Sequence, residues 1–253
     1  VNGESSWLDA LRNIEYEDQS HIILAKENAN GLRLSIRYFA PFGLEANALL
    51  MTITAENNSD GPINLEVAGK VNLKLGRGRA EPGNENESIT IQSEQTVETG
   101  PGGGHAYYFP LGGNSLTSCG GDSDIYNDWL ANRQLPSTVN CNGNNQVVAL
   151  SSNLEIAVGE SESFGIGLVF LNDNPNEPQA DDFRDFRTEA DILTAWRNFV
   201  GERNTETIIN DAKAEFENWR VAPQELGLNQ LTEDEVRVWR QSESVLRLSL
   251  IHI

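Results

Sequence analysis

Any chemistry this chain performs would have to come from its carboxylates, its three histidines or its two cysteines. Among 38 acidic side chains, some must lie near one another by chance, and the densest run is Asp181, Asp182 and Asp185 in "NDNPNEPQADDFRDF". Two carboxylates can cleave a sugar linkage when they flank it at roughly 5–9.5 Å. This run, however, sits in a Pro/Asn/Asp-rich stretch that reads as a solvated connection. Asp122, Asp124 and Asp128 in "DSDIYND" offer oxygen ligands for a hard cation. They lack the turn glycine that an EF-hand loop needs, so no metal is assigned. His21 and His105 are the histidines that acid–base work in a sandwich cleft could use, and they are far apart in sequence. "GPGGGH" has neither the Lys-Ser/Thr of a phosphate loop nor a helix after it, and reads as a hairpin tip. No cofactor is implied.

Cys119 and Cys141 bracket "GGDSDIYNDWLANRQLPSTVN", a segment rich in Gly, Asn, Ser and Asp that reads as a long loop. Two thiols with no histidine nearby do not make a metal site. A disulfide between them is expected of an exported protein, extracellular or periplasmic, and would close the loop for about 3 kcal/mol of stability. Trp129 lies in this polar segment, where an aromatic needs a reason; contact with a sugar ring, or capping of an active site, would be one. Trp219 and Trp239 fall on helix stripes and read as core. Asn57 and Asn86 each open an Asn-X-Ser pattern that matters only in a eukaryotic secretory setting.

The charge bounds the partners. The chain has 253 residues and a formal charge of −20, with four lysines and fourteen arginines against its acids. Such a surface repels nucleic acid and anionic membranes and keeps the chain soluble. No apolar run approaches the ~20 residues that span a bilayer. The opening "VNGESSWLDALRN" has no basic start and no apolar stretch, so no signal peptide is read in it.

The elements that would position these residues are mainly strands. "GLRLSIRYFAP" and "NALLMTITAEN" alternate apolar and polar residues. "INLEVAGKVNLKL" keeps one parity from Ile63 to Leu75, which predicts a single strand bent at Gly69. Joined by short turns, the three predict a meander. "ESFGIGLVFL" sets Phe164, Ile166, Leu168 and Phe170 on one face and Gly165 and Gly167 on the other, where something can pack closely. About ten strands without intervening helices predict an antiparallel β-sandwich over residues 1–180.

After that boundary the period changes. Thr188 and Asp191 form a capping-box pattern ahead of "EADILTAWRNFV", and "TIINDAKAEFENW" puts Ile209, Ala212, Phe216 and Trp219 on one stripe. Residues 181–230 thus read as a helical linker, closed by Pro223. A third helix opens at Thr232 with Glu235 completing its capping box and Leu231 and Val236 placed as a staple. Val238, Trp239, Ser242, Val245 and Leu246 form its core-facing stripe, and Arg240, Glu243 and Arg247 its exposed face. The closing "SLIHI" departs from this pattern, so His252 carries no weight.

This order of parts, a large sandwich, an acidic boundary, a linker helix ending "FENWRVAP" and then "LTEDEVRVWRQSESVLRL", resembles the N-terminal half of bacterial glucoamylase-type enzymes of glycoside hydrolase family 15. The resemblance implies a galactose-mutarotase-like super-sandwich before a catalytic (α/α)6 barrel, with residues 231–253 as the first barrel helix. It implies that the catalytic carboxylates lie beyond this sequence, that the chain alone is inactive, and that an α-glucan is the partner of the whole enzyme. Disaccharide phosphorylases and glucodextranases share the layout, and a stand-alone carbohydrate-binding or structural sandwich is the other reading.

Overall fold

The computed structural model describes residues 13–44, 46–73, 86–100, 104–112, 115–172, 188–220 and 230–250. Trp7, the acidic run at 181–185, the boundary stretch 173–187 and His252 fall outside them. In chain order the strands are β1 (Ile14–Tyr16), β2 (Ile23–Ala29), β3 (Leu32–Phe39), β4 (Asn47–Asn57), β5 (Ile63–Val71), β6 (Glu87–Ile91), β7 (Thr96–Thr99), β8 (Gly104–Leu111) and β9 (Ser115–Gly121). Helix α1 (Asp122–Asn132) follows, then β10 (Asn140–Gly143), β11 (Gln146–Ile156), β12 (Ser161–Asn172), α2 (Glu189–Val200), α3 (Thr205–Trp219) and α4 (Glu233–Leu250).

The class is mainly β: an antiparallel sandwich of unequal sheets. One sheet has the order β1-β2-β3-β4-β12-β8-β7-β6-β10, the other β5-β11-β9. Between them lies a core in which Leu34, Ala55, Phe164, Ile166 and Leu168 of the large sheet meet Val148, Leu150, Leu154 and Ile156 of the small one. The large sheet is covered on its other face too. Leu50, Phe109, Leu111 and Val169 pack there against Ile192, Trp196 and Phe199 of α2 and Ile208, Ile209 and Ala212 of α3. A third cluster, Ile125 and Leu135 on Val147 and Ala149, places α1 on the outer face of the small sheet. The layers therefore run α1, small sheet, large sheet, α2 with α3.

One sequence expectation changes in this arrangement. The meander fails at its third strand: β4 pairs with β3 and β12, while β5 pairs with β11 in the opposite sheet. The crossover is set by Asn57, fully buried, whose Nδ2 donates to the carbonyls of Gly61 at 2.8 Å and Ile156 at 2.9 Å. Its Oδ1 accepts from the backbone N of Ser59 at 3.0 Å. A buried amide must be satisfied, and this one can be only if the chain turns across to the other sheet. The same burial takes the Asn57 sequon out of reach. As its parity predicts, β5 is one strand, with Gly69 in an unbroken ladder opposite Leu150. A Cβ there would lie 2.9 Å from Ile166 Cδ1 and 3.2 Å from Met51 Cε, so the glycine lets the two sheets approach.

The predicted "long loop" between the cysteines is β9, α1 and β10. Cys119 on β9 and Cys141 on β10 are joined, so the disulfide ties the small sheet to the edge of the large one rather than closing a loose excursion. The helix was hidden by its polar composition. Asp122 and Asp124 favour its N-terminal turn through the helix dipole, and Ile125 and Trp129, four apart, supply its buried stripe.

Helices α2 and α3 are fixed by local and non-local contacts together. The capping box of α2 is complete, with Asp191 N donating to Thr188 Oγ1 and Thr188 N to Asp191 Oδ2. Trp196 stacks on Phe109 with ring centroids 4.6 Å apart and lies over Gly167. The expectation of close packing on that glycine face thus has its partner. Arg37 of β3 grips Glu17 with two bonds of 2.7 and 2.9 Å, and Lys213 of α3 reaches the same carboxylate at 2.9 Å. Burial pushes Glu17 up, but these two cations outweigh it and hold the carboxyl below its usual range. This ion cluster pins α3 to the sheet.

A Cβ on Gly167 would fall 2.0 Å from the Trp196 ring. Gly167→Ala should therefore cost about 3 kcal/mol, since a packed core resists an added methyl, whereas Gly61→Ala, with open space around it, should stay within about 0.5 kcal/mol. Urea unfolding of both variants checks this.

Candidate functional site

The histidines do not make a catalytic pair. His21 is completely buried in an aromatic nest of Phe39, Phe42 and Phe216, with Nε2 on the carbonyl of Ala40 at 2.9 Å. His105 lies on β8, its Nδ1 3.0 Å from Thr99 Oγ1. Asp122, the first residue of the "DSDIYND" run, is ion-paired to Lys70 at 2.7 Å. Among the described residues no three His, Cys, Asp or Glu side chains are grouped to hold a metal.

One acidic constellation escaped the sequence reading. Glu98 on β7 and Glu87 on β6 point into the inter-sheet core with 0% and 1% exposure, beside Tyr108 of β8. Tyr108 donates its hydroxyl to Glu98 Oε2, and Glu87 Oε2 accepts from the backbone N of Gln146 at 3.1 Å. Burial drives the Glu98 carboxyl up to about 7 and the nearby Glu87 adds to this, while the Tyr108 bond only partly offsets them. The pair has the chemistry of a proton carrier but no path to a substrate, so it belongs to the core. Its signal in the sequence was only parity: Thr96 and Glu98 alternate inward while looking like surface residues.

The open site is a cleft of about 570 Å3 that wraps around β5, the edge strand of the small sheet among the described residues. That volume suits a small ligand. Beneath β5 it is apolar, lined by Leu34, Ile36, Met51, Ile53 and Ile166. Above β5 it becomes a groove whose floor is the outer face of the small sheet and whose wall is α1. Tyr126 and Trp129 stand on that wall. Trp129 is half-buried, packed on the cluster of Ile125, Leu135, Val147 and Ala149. The ion pair Lys70–Asp122 fastens α1 to β5, with the ammonium 5.7 Å from the Tyr126 ring centre. Thus Trp129, picked from a supposed loop, is held by a helix against a sheet and faces a cleft.

A second exposed feature is on the opposite side. Helix α4 opens as its sequence predicts: Thr232 N donates to Glu235 Oε2 at 2.8 Å, and Glu235 N returns to Thr232 Oγ1 at 3.4 Å. Its charged face, expected to meet solvent, is the docked one. Arg240, assigned to the solvent side, is 8% exposed and bonds Glu243 at 2.7 Å, while the Arg220 guanidinium at the end of α3 lies 3.5 Å from the same carboxylate. The stripe assigned to the core points out, with Val238 at 59%, Trp239 at 43% and Val245 at 50% exposure. Trp219 is likewise 39% exposed rather than core.

Glu98 gives this core a pH signature. The folded chain keeps a proton that the unfolded chain releases near 4.5. The contribution of Glu98 to stability is therefore full below about 4.5 and is lost as pH rises to about 7. The melting temperature should fall across that window, and Glu98→Gln should flatten the fall, which calorimetry at stepped pH reads directly.

No protein-family model matches the chain, and no curated protein matches it in sequence. Solved structures do. A bacterial glucoamylase complexed with acarbose superposes with a TM-score of 0.53 at 15% identity, over 86% of this chain and 30% of its own. A protein assigned as a kojibiose phosphorylase from the human microbiome gives 0.41 at 10% identity, over 79% of this chain and 23% of that one. A galactose mutarotase-related enzyme from Lactobacillus acidophilus gives 0.31 at 10% identity, over 63% and 70%. The chain spans less than a third of the glucoamylase, and what it shares with that enzyme is the fold.

Proposed function

We propose that this chain is the non-catalytic N-terminal part of a carbohydrate-active enzyme that hydrolyses α-glucans, as glucoamylases and glucodextranases do. Residues 1–180 form the sandwich, 181–230 the linker, and 231–253 the first helix of a helical catalytic domain. The observation that carries this reading is α4. Its charged face meets Arg220 at the end of α3 and the short turn at Glu17–Gln19, while Val238, Trp239 and Val245 stand exposed. An apolar stripe of this kind is the seam of a helix bundle, and its occupant here is the catalytic barrel. The likeness in fold to a bacterial glucoamylase supports the same assignment. The catalytic acid and base are supplied by that barrel, and Trp129 is the saccharide contact on this chain. A disaccharide phosphorylase with the same layout is the second reading.

The chain by itself should release no glucose from maltodextrin. Joined to a downstream catalytic domain, it should do so without phosphate. Substituting Val238→Asp and Val245→Asp together should then lower activity and thermal stability of the joined protein while leaving the isolated chain folded. Glucose release that requires phosphate, or a joined protein indifferent to the double substitution, counts against the reading.

A further inference from the structure

The outer face of β5 and β11 has a regular polar pattern that none of the foregoing uses. The register sets Asn64 opposite Glu155 and Glu66 opposite Asn153. All four are exposed. The two rungs are about 7 Å apart along the strands, and partners across a rung have Cβ atoms about 5 Å apart. The next rungs, Ala68 with Ser151 and Lys70 with Ala149, are small apart from the lysine that binds α1, so the floor drops where Tyr126 and Trp129 rise. The result is a ledge of paired amides and carboxylates leading to an aromatic wall.

From this ledge we infer that the groove between α1 and the small sheet is a holding site for a neutral saccharide chain, remote from the catalytic domain. The chemistry selects the ligand. Amide and carboxylate side chains bind neighbouring hydroxyls two at a time, and the C–H face of a pyranose packs on an aromatic ring. Glu66 and Glu155 in a chain of net charge −20 turn away anionic ligands, while Lys70 is already engaged by Asp122. The position selects the role. The two sheets separate the two exposed features: α1 and the groove lie outside the small sheet, whereas α2 and α3 lie outside the large one and α4 meets Arg220 at the end of α3. A saccharide on Trp129 is therefore on the side facing away from α4, where it cannot cap an active site built onto that helix but can keep a polymer close to the enzyme. This inference takes its choice of glucan from the proposed function.

The test titrates the 253-residue chain with maltoheptaose by calorimetry, and by the shift of the Trp129 indole resonance. Saturable binding is expected, with at least about a tenfold loss in Trp129→Ala. Because Trp129 also packs on the α1 cluster, Glu66→Ala and Asn153→Ala provide fold-neutral variants and should each weaken binding several-fold. Val238→Asp on α4 should leave affinity unchanged. No binding of maltoheptaose, or binding untouched by the groove variants, overturns the inference. The broader reading fails by a different sign, the absence of glucose release by the joined protein. If that activity is present, groove variants should slow attack on insoluble starch far more than they slow maltotriose hydrolysis.

Discussion

A sheet of nine strands among the described residues that is apolar on both faces must be covered on both faces, and the rest of this structure follows from how unequally that is done. On one side, α2 and α3 lie across the middle of the sheet, close enough that only a glycine at 167 fits beneath Trp196. On the other, a sheet of only three strands among the described residues covers part of a much wider surface. Sheets pack about 10 Å apart, so the uncovered inner face beside the edge strand becomes the cleft. Its depth is apolar because it is sandwich core left open, and its rim is polar because it is the outside of β5 and α1.

The smaller sheet is held in place by few connections, and each has a nameable cause. Asn57 commits the chain to cross between sheets, the Cys119–Cys141 bond ties β9 to the far edge strand, and Lys70 with Asp122 ties α1 to β5. The buried Glu87, Glu98 and Tyr108 work in the other direction. Burial raises the Glu98 carboxyl to about 7, so part of the stability of the sandwich is present only while that group keeps its proton.

Much of this was legible locally. The alternation in "GLRLSIRYFAP" and "ESFGIGLVFL" fixes strands and their inward faces, and the capping boxes at Thr188 and Thr232 involve residues only three apart. What was not legible depended on distant partners. Nothing near β5 says that Asn57 will bond a carbonyl 99 residues away and send the strand to the other sheet. The Gly, Asn and Asp that flank α1 outweighed its single Ile125–Trp129 pair in the composition. The stripe on α4 reports which face seeks burial, not what covers it, while the burial of Arg240 on the charged face depends on distant partners and was not legible locally. Trp129 could be singled out because an aromatic among polar residues needs a partner, and it lines the cleft, whereas the ledge of Asn64, Glu66, Asn153 and Glu155 depends on register and was invisible until β5 and β11 were paired.

The central claim is that the chain has two working faces, an aromatic groove for saccharide and a helical seam for protein. Hydrogen exchange of the chain, free and saturated with maltoheptaose, tests it most directly. The account predicts added protection confined to residues 64–70, 122–133 and 147–155, with 233–250 exchanging at the same rate in both states. Protection centred on α4, or none anywhere, would contradict it.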